Sequence, residues 1–129
     1  QILSPHEFLK VWHHPKSLNI SMIKRACDLY VGTYDFASFA VNRGDGKEVK
    51  TERTIFSVKV CSEQNTLTVS FNGNGFLYKM VRLLVGAAVR VAEGKEEINW
   101  IEGMLQNPGQ SKCQHCAKPD GLYLVEVRY

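Results

Sequence analysis

Apolar positions along this chain recur with two periods, and the switches between them divide it into elements. From about Ile20 to Val31, the residues Met22, Ile23, Ala26, Cys27, Leu29 and Tyr30 fall at helical spacing, with Asn19 placed as an N-cap and Gly32 as the C-terminal stop. Thr54 to Cys61 carries Ile55, Phe56, Val58 and Val60, and Thr66 to Phe71 alternates Leu67, Val69 and Phe71. The polar stretch Ser62 to Asn65 between them predicts a hairpin. A second helix is expected from about Phe76 to Ala92, ended by Gly94, and a shorter third from about Ile98 to Leu105, ended by Asn107-Pro108-Gly109. Leu122 to Tyr129 alternates imperfectly and reads as a last strand, paired inside the sheet. The order helix, strand, strand, helix, helix, strand predicts an α+β fold, an antiparallel sheet with helices packed on one face.

Asn72-Gly73-Asn74-Gly75 admits two readings, because an Asn-Gly pair between apolar runs is also a hairpin signal. Beyond it, however, Leu77, Met80, Val81, Leu84, Val85, Ala88 and Ala92 fall at helical spacing over a length no strand reaches. The segment therefore reads as a strand-to-helix turn. On that helix Lys79, Arg82, Gly86, Arg90 and Glu93 line up as one polar stripe, which periodicity alone assigns to a solvent face.

Composition adds limits rather than a function. At 129 residues, 44% hydrophobic and 22% charged, the chain is ordinary globular material, long enough to bury about two thirds of its unfolded surface in one core. No apolar run approaches the length of a membrane span, since Lys79, Arg82 and Arg90 interrupt the longest candidate, and residues 1–10 do not read as a secretory signal. An intracellular location is the expectation. The net charge of +3 comes from 16 basic and 13 acidic residues. Between Phe76 and Lys95 stand Lys79, Arg82, Arg90 and Lys95 against Glu93 alone, so the excess is concentrated around the second helix. Such a concentration suits phosphate contact, and equally suits a solvated helix face.

Cys113-Gln114-His115-Cys116 invites a zinc reading, with Cys27, Cys61 and the His13-His14 pair as partners. The spacing does not match common zinc knuckles, which bring a second close pair of ligands from elsewhere in the chain, so no metal is expected. Cys27 on a helix core face and Cys61 at a strand end read as packing residues, and His13 and His14 as surface or packing residues. Arg43-Gly44-Asp45-Gly46 reads as a polar turn.

The run Gly73-Asn74-Gly75-Phe76-Leu77-Tyr78-Lys79-Met80-Val81-Arg82-Leu83-Leu84-Val85-Gly86 resembles the F-L-x-x-M-V-R-x-x-V-G signature of the TruA family of tRNA pseudouridine synthases. The resemblance extends along the chain. Gly32 to Phe39 is similar to the family's G-x-H-D-F-x-S-F, with Tyr34 in place of His. Thr51, Arg53 and Ile55 match T-x-R-x-I, and Gly121-Leu122-Tyr123-Leu124, Val127 and Tyr129 match the family's terminus. Trp12 to Pro15 with Leu18, Met22 and Ala26 is similar to the stretch leading into the first helix of the family's C-terminal half. Tyr34 and Ala117-Lys118-Pro119, where the family often has Ala-Pro, mark a divergent branch.

The resemblance implies one half of the pseudouridine synthase fold. It implies that Arg82 lies in the cleft and pairs with the catalytic Asp, that Phe76, Leu77, Met80 and Val81 help form the cleft, and that Lys79 and Arg90 are candidates for RNA contact. It also implies tRNA as substrate, no metal or organic cofactor, and a homodimer when full length. The R-T-D-x-G-V-H segment carrying the nucleophilic Asp and the R-x-Y-x-Y strand do not occur in these residues. The chain is therefore expected to be the C-terminal domain of such an enzyme, requiring the N-terminal half as partner and inactive alone. The alternative is a non-catalytic RNA-binding or dimerisation module with the same fold.

Overall fold

The computed structural model describes residues 6–12, 19–40, 50–63, 66–77, 79–109, 113 and 122–128. Its strands are β1 (His6–Trp12), β2 (Gly32–Asp35), β3 (Glu52–Glu63), β4 (Thr66–Gly73) and β5 (Leu122–Arg128), and its helices α1 (Ile20–Asp28), α2 (Met80–Ala92) and α3 (Ile98–Gln106). The five strands form one sheet in the order β2-β3-β4-β1-β5, antiparallel throughout. The chain is thus α+β as expected, but with two strands that the hydrophobic pattern does not predict. β1 interleaves Glu7 and Lys10 with Phe8, Leu9 and Val11, so neither period dominates, while β2 is only four residues long. β5 pairs with β1 alone and so lies at the edge of the sheet among the described residues, not inside it.

The core forms where α1 and α2 cover the sheet. β4 sends Leu67, Val69 and Phe71 into it at every second residue, all fully buried. β3 contributes Ile55 and then, out of phase, Val58 and Val60. That odd spacing is resolved by a bulge. Ile55 faces Gly73 while Ser57 faces Asn72, so Phe56 has no partner on β4 and is 52% exposed. The same phase change turns Cys61 outward, so the thiol expected to pack is exposed.

α1 begins as expected, with the Asn19 side chain accepting from the Met22 N–H at 3.2 Å. It ends earlier than its apolar pattern suggests, because Leu29, Tyr30 and Val31 tighten into a turn closed on the Ala26, Cys27 and Asp28 carbonyls. Tyr30 is fully buried all the same, edge-on to Phe39 at a centroid distance of 5.8 Å. The Asp35 carboxylate accepts from the Ala37 N–H at 3.0 Å and the Thr51 hydroxyl at 2.6 Å, fixing the short 3-10 turn Ala37–Phe39. Ser38, buried in that turn, donates to the Met104 carbonyl and accepts from the Gly109 N–H, which ties the end of α3 to the core. The left-handed Gly94 and Gly109 follow α2 and α3 where stops are expected.

Burial pushes the Cys27 thiol from 9.0 up to about 12, with Asp28 adding to the shift. Burial also drives the Tyr30 phenol upward, reinforced by the nearby Cys27 and Cys113 thiols. Both groups hold their protons to higher pH folded than unfolded, so the unfolded chain binds fewer protons in alkali and stability falls as pH rises. Thermal unfolding should show Tm declining between about pH 9 and 12, and Cys27→Ala should flatten part of that slope. A Tm independent of pH across this window would contradict the assignment.

Candidate functional site

β4 leaves the sheet at Gly73 and α2 starts at Met80, with no hairpin between them. At the departure point the chains approach too closely for a side chain, since a Cβ on Gly73 would lie 2.6 Å from the Thr54 carbonyl oxygen. Asn74 then donates its backbone N–H to that same carbonyl at 3.0 Å, while its side-chain Oδ1 accepts the Thr54 N–H at 2.9 Å. Gly75 comes next at φ +154°, and a Cβ there would stand 3.5 Å from Arg53 Nε. Arg53 is itself held by Nη1, which donates to the Lys50 carbonyl at 2.7 Å and the Glu52 carbonyl at 2.8 Å.

The expected helix start at Phe76 moves to Met80 because the chain makes one more turn first. Leu77 is buried, its N–H directed at Met80 Sδ at 3.5 Å and its carbonyl accepting from the Met80 N–H at 3.1 Å. Lys79 occupies the cap position in the left-handed conformation, φ 60° and ψ 9°, where a non-glycine residue is strained. Phe76 is half-buried beside this turn, and Met80 and Val81 are buried at the helix head.

From Met80 to Ala88 every residue except Arg82 is buried. The polar stripe inferred from periodicity is therefore broken at Gly86, which is buried, and α2 has no continuous solvent face. Arg82 is only partly buried, and none of the described residues forms a hydrogen bond or ion pair with its guanidinium. The first turn holds no acidic residue, and the Lys79 side chain does not cap the backbone N–H groups of that turn. A cation at the positive end of a helix is disfavoured by about 0.3–1 kcal/mol, and the same field favours a bound anion. The arrangement can thus orient a carboxylate or a phosphate through a two-pronged contact.

Just beyond Arg82, two side chains hold α2 by its carbonyls. The Tyr30 hydroxyl donates to the Leu84 carbonyl at 2.8 Å, and the Cys113 thiol points at the Leu83 carbonyl at 3.6 Å. Cys113 is thus a buried packing group, while Cys116, His115, His13, His14 and the Arg43-Gly44-Asp45-Gly46 run lie outside the described residues. No group of three His, Cys, Asp or Glu side chains suited to a metal occurs among the described residues. Lys79 is exposed at the helix head beside Arg82. Arg90 lies about 12 Å further along the helix, where its Nε stands 3.9 Å from the Glu96 carboxylate. Sequence reasoning missed Asn74 and Arg53 as parts of this corner. For Asn74 the signal is the Asn-Gly-Asn-Gly run itself, in which the second Asn supplies a side-chain acceptor where the strand stops.

The described residues thus form an α+β domain, a five-stranded antiparallel sheet carrying a buried helix with a partly exposed arginine in its first turn. Residues 26–129 match the family described as tRNA pseudouridine synthase, and the chain belongs to that family. It is 37% identical over 99% of its length to tRNA pseudouridine synthase A of Akkermansia muciniphila, covering 50% of that protein. It is 33% identical over its whole length to tRNA pseudouridine synthase A 1 of Protochlamydia amoebophila, covering 51%, and 36% identical over 92% to tRNA pseudouridine synthase A 2 of Clostridium perfringens, covering 48%. The chain spans about half the length of these curated relatives. No helix among the described residues is long and apolar enough to cross a membrane.

Gly73→Ala tests the closeness of the β3–β4 exit. The added methyl must displace backbone rather than a flexible side chain, so stability should fall by about 1–3 kcal/mol. Urea denaturation reads the change, and an unshifted midpoint would show that the exit tolerates a side chain.

Proposed function

We propose that these residues form the C-terminal half of a TruA-type tRNA pseudouridine synthase and supply one wall of the cleft in which uridine becomes pseudouridine. The observation that carries the reading is Arg82, a half-exposed guanidinium without a partner among the described residues, on a helix otherwise buried around it. Its partner in the assembled enzyme is the nucleophilic Asp of the N-terminal half, which the always-charged guanidinium keeps ionised and oriented. Phe76, Leu77, Met80 and Val81 shape the cleft edge, and Lys79, with Arg90 further along, contacts the RNA backbone.

The reaction is an isomerisation. The Asp carboxylate attacks the nucleoside, the C1′–N1 bond breaks, the base rotates, and a C1′–C5 bond forms as the carboxylate is released, the C5 proton is lost and N1 takes one up. No redox step or group donor is involved, so neither metal nor organic cofactor is called for. The target base must leave its stack at a cost of a few kcal/mol, recovered through contacts with the pocket and backbone. The enzyme acts inside the cell, where its tRNA substrate is found, and works as a homodimer.

In the full-length parent, Arg82→Ala should lower turnover by roughly 100-fold or more, the loss expected for one positioned electrostatic stabiliser. Arg82→Lys should recover little, because a flexible ammonium cannot reproduce the planar fork. The 129-residue chain alone should form no pseudouridine on tRNA, while weak, salt-sensitive RNA binding survives. Turnover is read by pseudouridine formation in single-site tRNA assays. Activity in the isolated chain, or an Arg82→Ala parent at the wild-type rate, would defeat the proposal.

A further inference from the structure

The last rung between β3 and β4 is built differently from the rungs before it. Beyond the bulge at Phe56 the strand register ends with Ile55 facing Gly73, and Asn74, the first residue past β4, bonds to Thr54. An ordinary rung of this type exchanges two backbone N–H to carbonyl bonds. Here the Asn74 N–H donates to the Thr54 carbonyl at 3.0 Å, but the Thr54 N–H is accepted by the Asn74 side chain at 2.9 Å, not by its main-chain carbonyl. Thr54 is satisfied as in a strand, while the Asn74 carbonyl is released. The backbone can therefore leave the sheet at this residue without orphaning a donor.

Three further contacts fix the direction of departure. Gly73 lies against the Thr54 carbonyl with no room for a Cβ, and Arg53, anchored to the Lys50 and Glu52 carbonyls, lies over Gly75. The Thr33 and Thr54 hydroxyls, 2.8 Å apart, tie the same point of β3 to β2. From this clamp the chain runs through Gly75 to Leu77 and the left-handed Lys79 directly into the first turn of α2, which carries Arg82.

We infer that Asn74 is a positioning residue for Arg82: by replacing a main-chain acceptor at the last β3–β4 rung, its side-chain oxygen sets the angle at which α2 leaves the sheet and so aims the guanidinium. The inference rests on the role proposed above for Arg82. Asn74 touches no reacting atom and acts only through the turn.

The test uses the full-length parent on tRNA. Asn74→Ala should lower kcat by about tenfold with KM within about twofold of wild type. Asn74→Asp, which keeps the acceptor oxygen, should restore most of kcat. In an Arg82→Ala background, Asn74→Ala should cost no further rate, because a residue acting through Arg82 has nothing left to aim. In the wild-type parent the Thr54 amide should be protected from hydrogen exchange, a measurement that holds even if Asn74→Ala does not fold. The inference is overturned if Asn74→Ala turns over at the wild-type rate, if Asn74→Asp is no better than Ala, if the two losses multiply independently, or if the Thr54 amide exchanges like a free one. Should Arg82→Ala itself be fully active, the cleft role of Arg82 falls and this inference with it. An inactive Arg82→Ala beside a fully active Asn74→Ala refutes the aiming role alone.

Discussion

α2 is walled in by β1 beneath it, α1 at its side and the Ala37–Phe39 turn against its flank, and the rest of the domain is arranged to make that burial possible. Each large apolar side chain it removes from water contributes roughly 1.5–3 kcal/mol, so the helix is a principal source of the domain's stability. Small residues, Gly86, Ala87 and Ala88, and large ones, Leu83, Leu84 and Val85, are buried together along it. A helix enclosed in this way admits a charged side chain only where it meets solvent, and in its first turn that residue is Arg82. Packing and chemistry are thereby linked, since whatever shifts the helix moves the guanidinium.

The polar contacts around the helix arise from the same enclosure. Tyr30 and Cys113 reach adjacent carbonyls of α2 that already lie within the helical ladder, so their bonds add a second donor to each and fix the rotation of the helix about its axis. Ser38 serves the same purpose for α3, and Asp35 for the turn that flanks α2. Tyr30, Ser38 and Cys113 are buried polar groups with hydrogen-bond partners, the condition under which such groups add specificity instead of cost.

Much of this is legible in the chain. The helical period of Leu77 to Ala92 dominates the Asn-Gly hairpin signal, and the alternation of Leu67, Val69 and Phe71 marks the buried face of β4. The departures have separate physical causes. Hydrophobic patterning places the start of α2 at Phe76 because Phe76 and Leu77 are apolar, and apolarity does not reveal that Lys79 turns left-handed before the helix begins. The outward Cys61 results from a one-residue insertion at Phe56, which reverses every later position on β3. β1 escapes notice because a strand whose sheet neighbours lie far away in sequence leaves no local turn to announce it. The isolation of Arg82 on a buried stretch of α2 is not legible from periodicity, which assigns that residue to a solvent stripe that the buried Gly86 interrupts.

The register of β1 carries a consequence for how the domain is made. His6 pairs with Asn72 on one side and with Arg128 on the other, so the first strand described here waits for the last. During synthesis β4 can join β1 once the middle of the chain has emerged, yet the other edge of β1 has no partner until β5 leaves the ribosome. For that interval the sheet ends at β1 instead of β5, and the unpaired row of backbone donors and acceptors on which foreign strands add belongs to a strand meant to be interior. The long loop that must close also makes β1–β5 pairing a late and slow event. Removing β5 would thus leave α2 and Arg82 untouched in sequence while leaving β1, whose backbone is otherwise paired on both sides, permanently at the edge of the sheet.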